Sequence, residues 1–567
     1  MKGHFVMKHF KRAAAMLLAV VLSLCLAVTA FAEGTAVPTG TLTVTGSGLY
    51  IPDEGAGKGK NVTAIRMFTA RATEAATPNP NTFDSYVLEN KWEGFFKQDE
   101  IFNAMKTAGA TTVSTANDLD SAALSDVAVA YINTLLSETT TTKGTTLVEF
   151  AHKAQNWARK NSTTLSAKPS LVTVKAATQD AGEDKTKGTA AFNDLPAGYY
   201  LVFPEGGSTG NNSRGTDAIL VNVPRDGKNT AVKIKSTFPT VEKKVQTTDG
   251  GDFTDNGTAQ VGKKVAFQLT AEVPDMSDYT KYTFKFVDTM TKGLDFVENS
   301  VKVTIAGKNI DAGENTYKVK FDTAQKVLTV TFDNLKKVNK EQNTPVATGD
   351  KIVVTYEAYI NKDASRTDPA TNKVYLQYSN NPGTDELGKS NPDESKVYTY
   401  DIEIHKFHTE DIDANRLANA TFKLTSDVDG NNVVKLVAET DANAYHVQGD
   451  GETGVDTVTT DVTGKINIKG LKDGTYYLHE TIAPTGYNKL KKPIKIDITV
   501  TGEAYTTPTY KVDEVDQNTS NIIKVENVKG VMLPETGSIG TIGLTALGVA
   551  VVLLGVFAPR KKKKENQ

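Results

Sequence analysis

The residues best placed to do chemistry lie near the C-terminus, where Leu533-Pro534-Glu535-Thr536-Gly537 precedes an almost wholly apolar stretch from Ile539 to Ala558, closed by Arg560 and Lys561 to Lys564. Roughly 20 apolar residues cross a bilayer as a helix, and the positive-inside rule keeps the lysine run in the cytoplasm. The pentapeptide is then held just outside the membrane. Pro534 fixes its own φ and disfavours helix at Leu533, so the segment is an extended, kinked strip suited to a protease-like groove. The tail reads as an address and a reaction site. At the other end, Lys2, Lys8, Lys11 and Arg12 precede an apolar run from Ala13 to Ala30, and Ala30-Phe31-Ala32 fits the small-x-small pattern of signal peptidase. Cleavage is expected between Ala32 and Glu33. It removes Cys25, the one cysteine, so the exported chain has no disulfide and must be toughened by other cross-links.

Other chemistry is thin. A net charge of −3, from 64 basic and 67 acidic residues, gives no electrostatic case for nucleic-acid binding. Gly55-Ala56-Gly57-Lys58-Gly59-Lys60-Asn61 suggests a phosphate loop, but its glycine spacing is short by one and Asn61 replaces the Ser or Thr that would hold magnesium. A flexible hairpin loop is the reading. The seven histidines show no metal spacing, and Asp249 to Asp255 reads as solvated turns, so no metal and no cofactor is expected. An exported enzyme acting on an outside substrate therefore has little support.

The elements that must position any reactive groups are mostly strands. Beyond residue 160 the chain is short runs of Val, Ile, Thr, Tyr and Phe broken by Gly, Asn and Asp turns, the pattern of antiparallel β-sandwiches. The expected class is mainly β: tandem immunoglobulin-like sandwiches between a signal peptide (1–32) and a sorting tail with a transmembrane helix (531–567). The first domain (33–236) opens with strand-like Thr41 to Thr45 and Val62 to Phe68, then carries a helical part that includes Leu147 to Ala158, apolar at helix spacing. A middle domain (237–397) and a last domain (398–530) follow. Gly198-Tyr199-Tyr200-Leu201 in the first domain is echoed by Gly474-Thr475-Tyr476-Tyr477-Leu478 in the last, as related units in tandem would be.

The tail resembles the sortase substrates of Gram-positive bacteria. The last domain resembles a collagen-adhesin B-type sandwich through Ile402 to Phe407, the acidic box Tyr476 to Tyr487, and Val525-Glu526-Asn527. The middle domain resembles that of isopeptide-forming pilin subunits through Pro239 to Val245, Phe286 to Leu294, and Tyr378 to Pro382. Together these imply a major, shaft-forming pilin. In that family a sortase thiolate attacks the Thr–Gly bond, here Thr536–Gly537, and passes the acyl group to an amine. Each sandwich also joins a lysine amine to an asparagine side chain with loss of ammonia, helped by a carboxyl group.

That resemblance can be tested by parity. The amine attacks when neutral and the acid works when protonated, so all three groups should be buried in phase with apolar neighbours. Lys406 is in phase with Ile402 and Ile404, Glu480 with Tyr476 and Leu478, and Asn527 with Ile523 and Val525. Lys243 is in phase with Val241 and Val245, Asp288 with Phe284 and Phe286, and Asn380 with Val374, Leu376 and Tyr378. The expected bonds are Lys406–Asn527 assisted by Glu480 and Lys243–Asn380 assisted by Asp288, with Glu272 the second choice of acid.

Aligning Tyr199-Tyr200-Leu201 on Tyr476-Tyr477-Leu478 puts Phe203 in the place of Glu480, and Thr41 to Thr45 has no lysine, so no such bond is expected within the first domain. The acceptor lysine of shaft pilins sits in a Tyr-Pro-Lys motif before the middle domain. That motif is missing; Lys235 is the candidate by spacing, ahead of Lys233 and Lys228. The function expected is a structural subunit of a covalent surface homopolymer, with sortase transpeptidases, cell-wall peptidoglycan, candidate tip and basal pilins and a candidate host receptor as partners. The alternative is a monomeric wall-anchored adhesin on a β-sandwich stalk. Location is extracellular, on the cell wall.

Overall fold

A computed structural model describes residues 39–530 apart from 53–57, 72–84, 138–142, 206–217, 225–227, 235–237, 278, 381–384 and 386. It is mainly β. Two compact units divide the chain: one holds residues up to 257 with 264–359 and 370–397, the other holds residues from 398 on with 258–263 and 360–369.

The first unit begins with two sheets. One orders Asn229–Lys233, Thr39–Gly46, Gly188–Pro196 and Thr178–Gln179, the first pair parallel. The other orders Ile219–Val223, Gly198–Pro204, Asn61–Arg71 and Ser85–Leu88. Leu42, Val44 and Phe192 of one meet Val62, Tyr200 and Val202 of the other in a single core. The second sheet is covered on its far face too, by the helices Asp99–Thr107, Ser121–Ser137 and Lys143–Lys160, through Met67, Leu201, Trp92, Phe95 and Phe150. Burial on both faces is why Asn61–Arg71 and Gly198–Pro204 are near-continuous apolar runs rather than alternating ones. Arg66, inside that layer, bonds Glu89 at 2.9 Å, Glu89 bonds Lys168 at 2.6 Å, and Trp92 Nε1 donates to the Arg66 carbonyl at 3.0 Å. These contacts fix the helical part to the sheet.

The repeated Tyr phrase has a structural cause. Tyr200 donates its hydroxyl proton to the Pro196 carbonyl at 2.6 Å, and Tyr476 donates to the Lys472 carbonyl at 2.9 Å, the same four-residue return that locks corners in β-sandwiches. Tyr200, not Tyr199, is thus the counterpart of Tyr476.

Two further sheets complete the first unit. One orders Val241–Gln246, Lys264–Glu272, Lys351–Ile360 and Lys302–Ile305, the other places Asp393–Tyr398, Ala370–Ser379, Phe284–Met290 and Val327–Phe332 side by side. Strict alternation of buried and part-exposed residues along Lys351–Ile360 and Phe284–Met290 puts one face of each strand in the core. In the second unit Tyr400–Phe407 lies between Lys465–Leu471 and the last strand, Ile522–Glu526, to which it runs parallel. The opposing sheet carries Thr421–Thr425, Gly474–Ile482 and Ile494–Thr499. Among the described residues no helix is long and apolar enough to cross a membrane; the stretch Ile539 to Ala558 lies outside them, as does the signal peptide.

Candidate functional site: buried lysine, acid and asparagine clusters

In the second unit, Lys406 on the first strand and Asn527 just past the last strand stand side by side. Lys406 is in register with Val525, and the Asn527 N–H donates to the Phe407 carbonyl at 3.0 Å. Glu480 reaches them from the opposing sheet, accepting from Asn527 Nδ2 at 2.8 Å and lying 3.8 Å from Lys406 Nζ. The Glu480 carboxylate is held by the Leu490 N–H at 2.8 Å, and Lys406 Nζ donates to the Val525 carbonyl at 3.0 Å. All three side chains are buried. Desolvation lowers the Lys406 pKa to about 8, against the pull of Glu480 and Glu526. Asn527 Oδ1 has no hydrogen-bond partner among the described residues.

The middle sheets build a second cluster. Lys243 Nζ lies 2.5 Å from Asp288 Oδ2 and 2.9 Å from the Tyr356 hydroxyl, which also donates to Asp288 Oδ2 at 2.9 Å. Asn372 Nδ2 donates to the same hydroxyl at 2.5 Å. Lys243 and Tyr356 come from one sheet, Asp288 and Asn372 from the other. Lys243, Asp288 and Asn372 are completely buried, and Lys243 Nζ lies 4.8 Å from the centre of the Phe267 ring. Burial pushes the lysine pKa down and the aspartate pKa up, each outweighing the attraction between them. Burial thus moves both groups toward their neutral forms. Asp288 Oδ1 and Asn372 Oδ1 lack partners among the described residues.

The asparagine beside Lys243 is not the expected one. Asn380 lies on the same face as Asn372, but eight residues further along the chain, roughly 26 Å at strand rise. Its Nδ2 donates instead to Glu205 Oε1 at 2.8 Å. Parity identifies the face and says nothing of height along it. Asp288 is in register with Val374 and Met290 with Asn372, so Asn372 is the diagonal neighbour of Asp288. A signal for it was present: strands disfavour asparagine, and this one occupies an apolar-phase position in mid-strand. Tyr356 carried no comparable mark, being one aromatic among several. Glu272, the alternative acid, is exposed at a strand end.

Leu533 to Gly537, the cleavage pair Ala32 and Glu33, and Lys235 all lie outside the described residues. Lys233 is exposed at the end of Asn229–Lys233. Among the described residues no three His, Cys, Asp or Glu side chains gather as a metal site would require.

Comparison with known families gives three matches in chain order. Residues 261–382 match the Gram-positive pilin backbone subunit 2, Cna-B-like domain; residues 401–512 match the SpaA prealbumin-like fold domain; residues 526–567 match the LPXTG cell wall anchor motif. The trypsin-resistant surface T6 protein of Streptococcus pyogenes serotype M6 is 24% identical over 459 residues, 66% of this chain and 81% of that one. Among solved structures, the T6 backbone pilin of serotype M6 S. pyogenes is 16% identical, covering 87% of this chain and 99% of that one with a TM-score of 0.44. The full-length major pilin SpaD of Corynebacterium diphtheriae is 18% identical, covering 87% and 98% with a TM-score of 0.40. A backbone-pilin domain, a prealbumin-like domain and a wall anchor in succession make this chain a Gram-positive major pilin, a structural subunit of a surface pilus anchored to the cell wall.

Proposed function

We propose that this pilin is polymerised covalently through Thr536 and stiffened by internal amides Lys243–Asn372 and Lys406–Asn527. The observation that carries the second half is the recurrence of one arrangement: a buried lysine and carboxyl group beside an asparagine whose amide oxygen has no donor among the described residues. A neutral Lys243 amine attacks Cγ of Asn372. Asp288, protonated, supplies a donor where Asn372 Oδ1 has none among the described residues, then relays the amine's proton to Nδ2, which leaves as ammonia. Tyr356, bonded to all three, orients them. Glu480, which accepts from Asn527 Nδ2 and lies beside Lys406 Nζ, relays the proton between them. Each reaction happens once per chain, so the protein is a substrate of itself and not an enzyme in the turnover sense.

Between subunits, a sortase transpeptidase is the partner this reading requires, cleaving Thr536–Gly537 and joining Thr536 to Lys235 of the next copy. Peptidoglycan receives the last subunit. Tip and basal pilins and a host receptor are candidate partners. The domain boundaries read from the sequence, near 236, 397 and 530, belong to the same proposal.

Intact mass of the mature chain tests the internal bonds. It should be lower than the sequence mass by one ammonia per bond, and Asp288→Ala should restore one while leaving the Lys406 bond in place. The loop closed by Lys243 and Asn372 is about 130 residues, so by analogy with disulfides its loss should cost about 5 kcal/mol. A wild-type mass equal to the plain sequence refutes the bonds. A wall extract on a denaturing gel should show a ladder that Lys235→Ala abolishes; a single band in the wild type would favour the monomeric adhesin.

A further inference from the structure

Asn380 does not stand alone with Glu205. Lys60 is its neighbour through shared partners: Lys60 Nζ donates to the Tyr378 hydroxyl at 3.0 Å and to the Lys389 carbonyl at 3.1 Å, and lies 4.3 Å from the centre of the Phe238 ring. Glu205 is close enough to act on its charge. The backbone holds the group in place. The Lys60 N–H donates to the Leu49 carbonyl at 2.8 Å, the Lys60 carbonyl accepts from Ala177 N at 2.9 Å, and Glu205 N donates to the Asn61 carbonyl at 2.8 Å. Lys60 and Glu205 thus sit at adjoining ends of antiparallel strands, Val62 facing Pro204. Asn380 comes from the end of Ala370–Ser379, two residues beyond Tyr378.

The inventory repeats that of the two clusters above. Lys60 is 9% exposed and Asn380 2%, and a tyrosine hydroxyl and an aromatic face cover the amine, as Tyr356 and Phe267 cover Lys243. Asn380 Nδ2 donates to Glu205 Oε1 at 2.8 Å, as Asn527 Nδ2 donates to Glu480 Oε1 at 2.8 Å, and Asn380 Oδ1 lacks a partner among the described residues. Gly388 closes over the asparagine: a Cβ there would stand 3.1 Å from Asn380 Cβ and 3.0 Å from the Tyr378 ring, so a larger residue would displace them. Desolvation brings the Lys60 pKa down to about 8 against the raising effect of Glu205. The amine can shed its proton near neutrality.

We infer that Lys60 and Asn380 form a third amide, with Glu205 carrying the proton, and that it ties the first sandwich to the middle one. The Lys60 nitrogen attacks Cγ of Asn380, the Cγ–Nδ2 bond breaks, Glu205 moves the amine's proton to Nδ2, and ammonia leaves. Atoms balance with no other reactant. It differs from the other two in joining strands of separate sandwiches.

Tryptic mapping of the folded mature chain decides it. The expected product is a branched peptide linking the segments that contain Lys60 and Asn380, lighter than their sum by one ammonia. Lys60→Arg and Glu205→Gln should each restore one ammonia to the intact mass while the branched peptides at Lys243 and Lys406 persist. Recovery of the Lys60 and Asn380 peptides unbranched from wild-type protein overturns the inference, even if both variants fail to fold. Because the three branched peptides are separate species, loss of this one leaves the other two bonds untouched as a reading, and the reverse.

Discussion

Lys406 has no exposed surface, and removing water from its amine is what lowers its pKa to about 8. In Asn527→Ala the acceptor is gone and the amine persists. Between pH 8 and the ordinary lysine value of 10.5 the folded state has then lost a proton that the unfolded state still holds. Stability must rise with pH across that interval, by about 3 kcal/mol, and the penalty is largest below it. Denaturation of Asn527→Ala compared with Lys406→Met/Asn527→Ala isolates the effect; a difference that is flat in pH would contradict it. A wild type carrying the proposed Lys406–Asn527 amide has no such proton to lose, so there the dependence should vanish. At the same scale, the family resemblance pointed to Lys243, Asp288, Lys406, Glu480 and Asn527, alternation put each in apolar phase, and all five are buried. Neither disclosed Lys60. A lysine among glycines reads as solvent-facing, and only pairing by distant strands, invisible to a local pattern, buries it.

The strands and helices follow local rules more faithfully. The helix expected over Leu147 to Ala158 lies within Lys143–Lys160, and Thr41 to Thr45 and Val62 to Phe68 lie within Thr39–Gly46 and Asn61–Arg71. What periodicity could not say is that the helices cover the second face of a sheet, since a run apolar in both phases fits several kinds of burial. Glu89 is the polar pin of that layer. Burial raises its pKa, but hydrogen bonds from Lys168 and Thr69 and the Arg66 charge more than offset this, and the net shift is downward. Its contribution is therefore full above the ordinary glutamate range and is lost as pH falls through the depressed value. Glu89→Ala strands Arg66 in the interior and should cost the helical layer about 3 kcal/mol. Hydrogen exchange in Asp99–Thr107 and Lys143–Lys160 should speed up in the variant and, in wild type, on acidification. Unchanged protection would show that the pin contributes nothing.

At the scale of the molecule, the order of bonds along the chain matters more than their number. In a polymer loaded at Lys235 and Thr536, the parallel pairing of Tyr400–Phe407 with Ile522–Glu526 acquires a mechanical meaning. With the two proposed amides in place, tension entering such a subunit would run from Lys235 to Lys243, cross to Asn372, continue to Lys406, cross to Asn527 and leave for Thr536. Everything between partners so bonded would be a slack loop that no pull along the fibre can straighten. Stretching single tandem molecules should show almost no unfolding steps in wild type and long ones in Asp288→Ala; long steps in fully bonded wild type would refute this route. The first sandwich lies off the route altogether, and the Lys60 bond would act there as a strap rather than a strut, holding a side-hung module to a rope that carries the load without it.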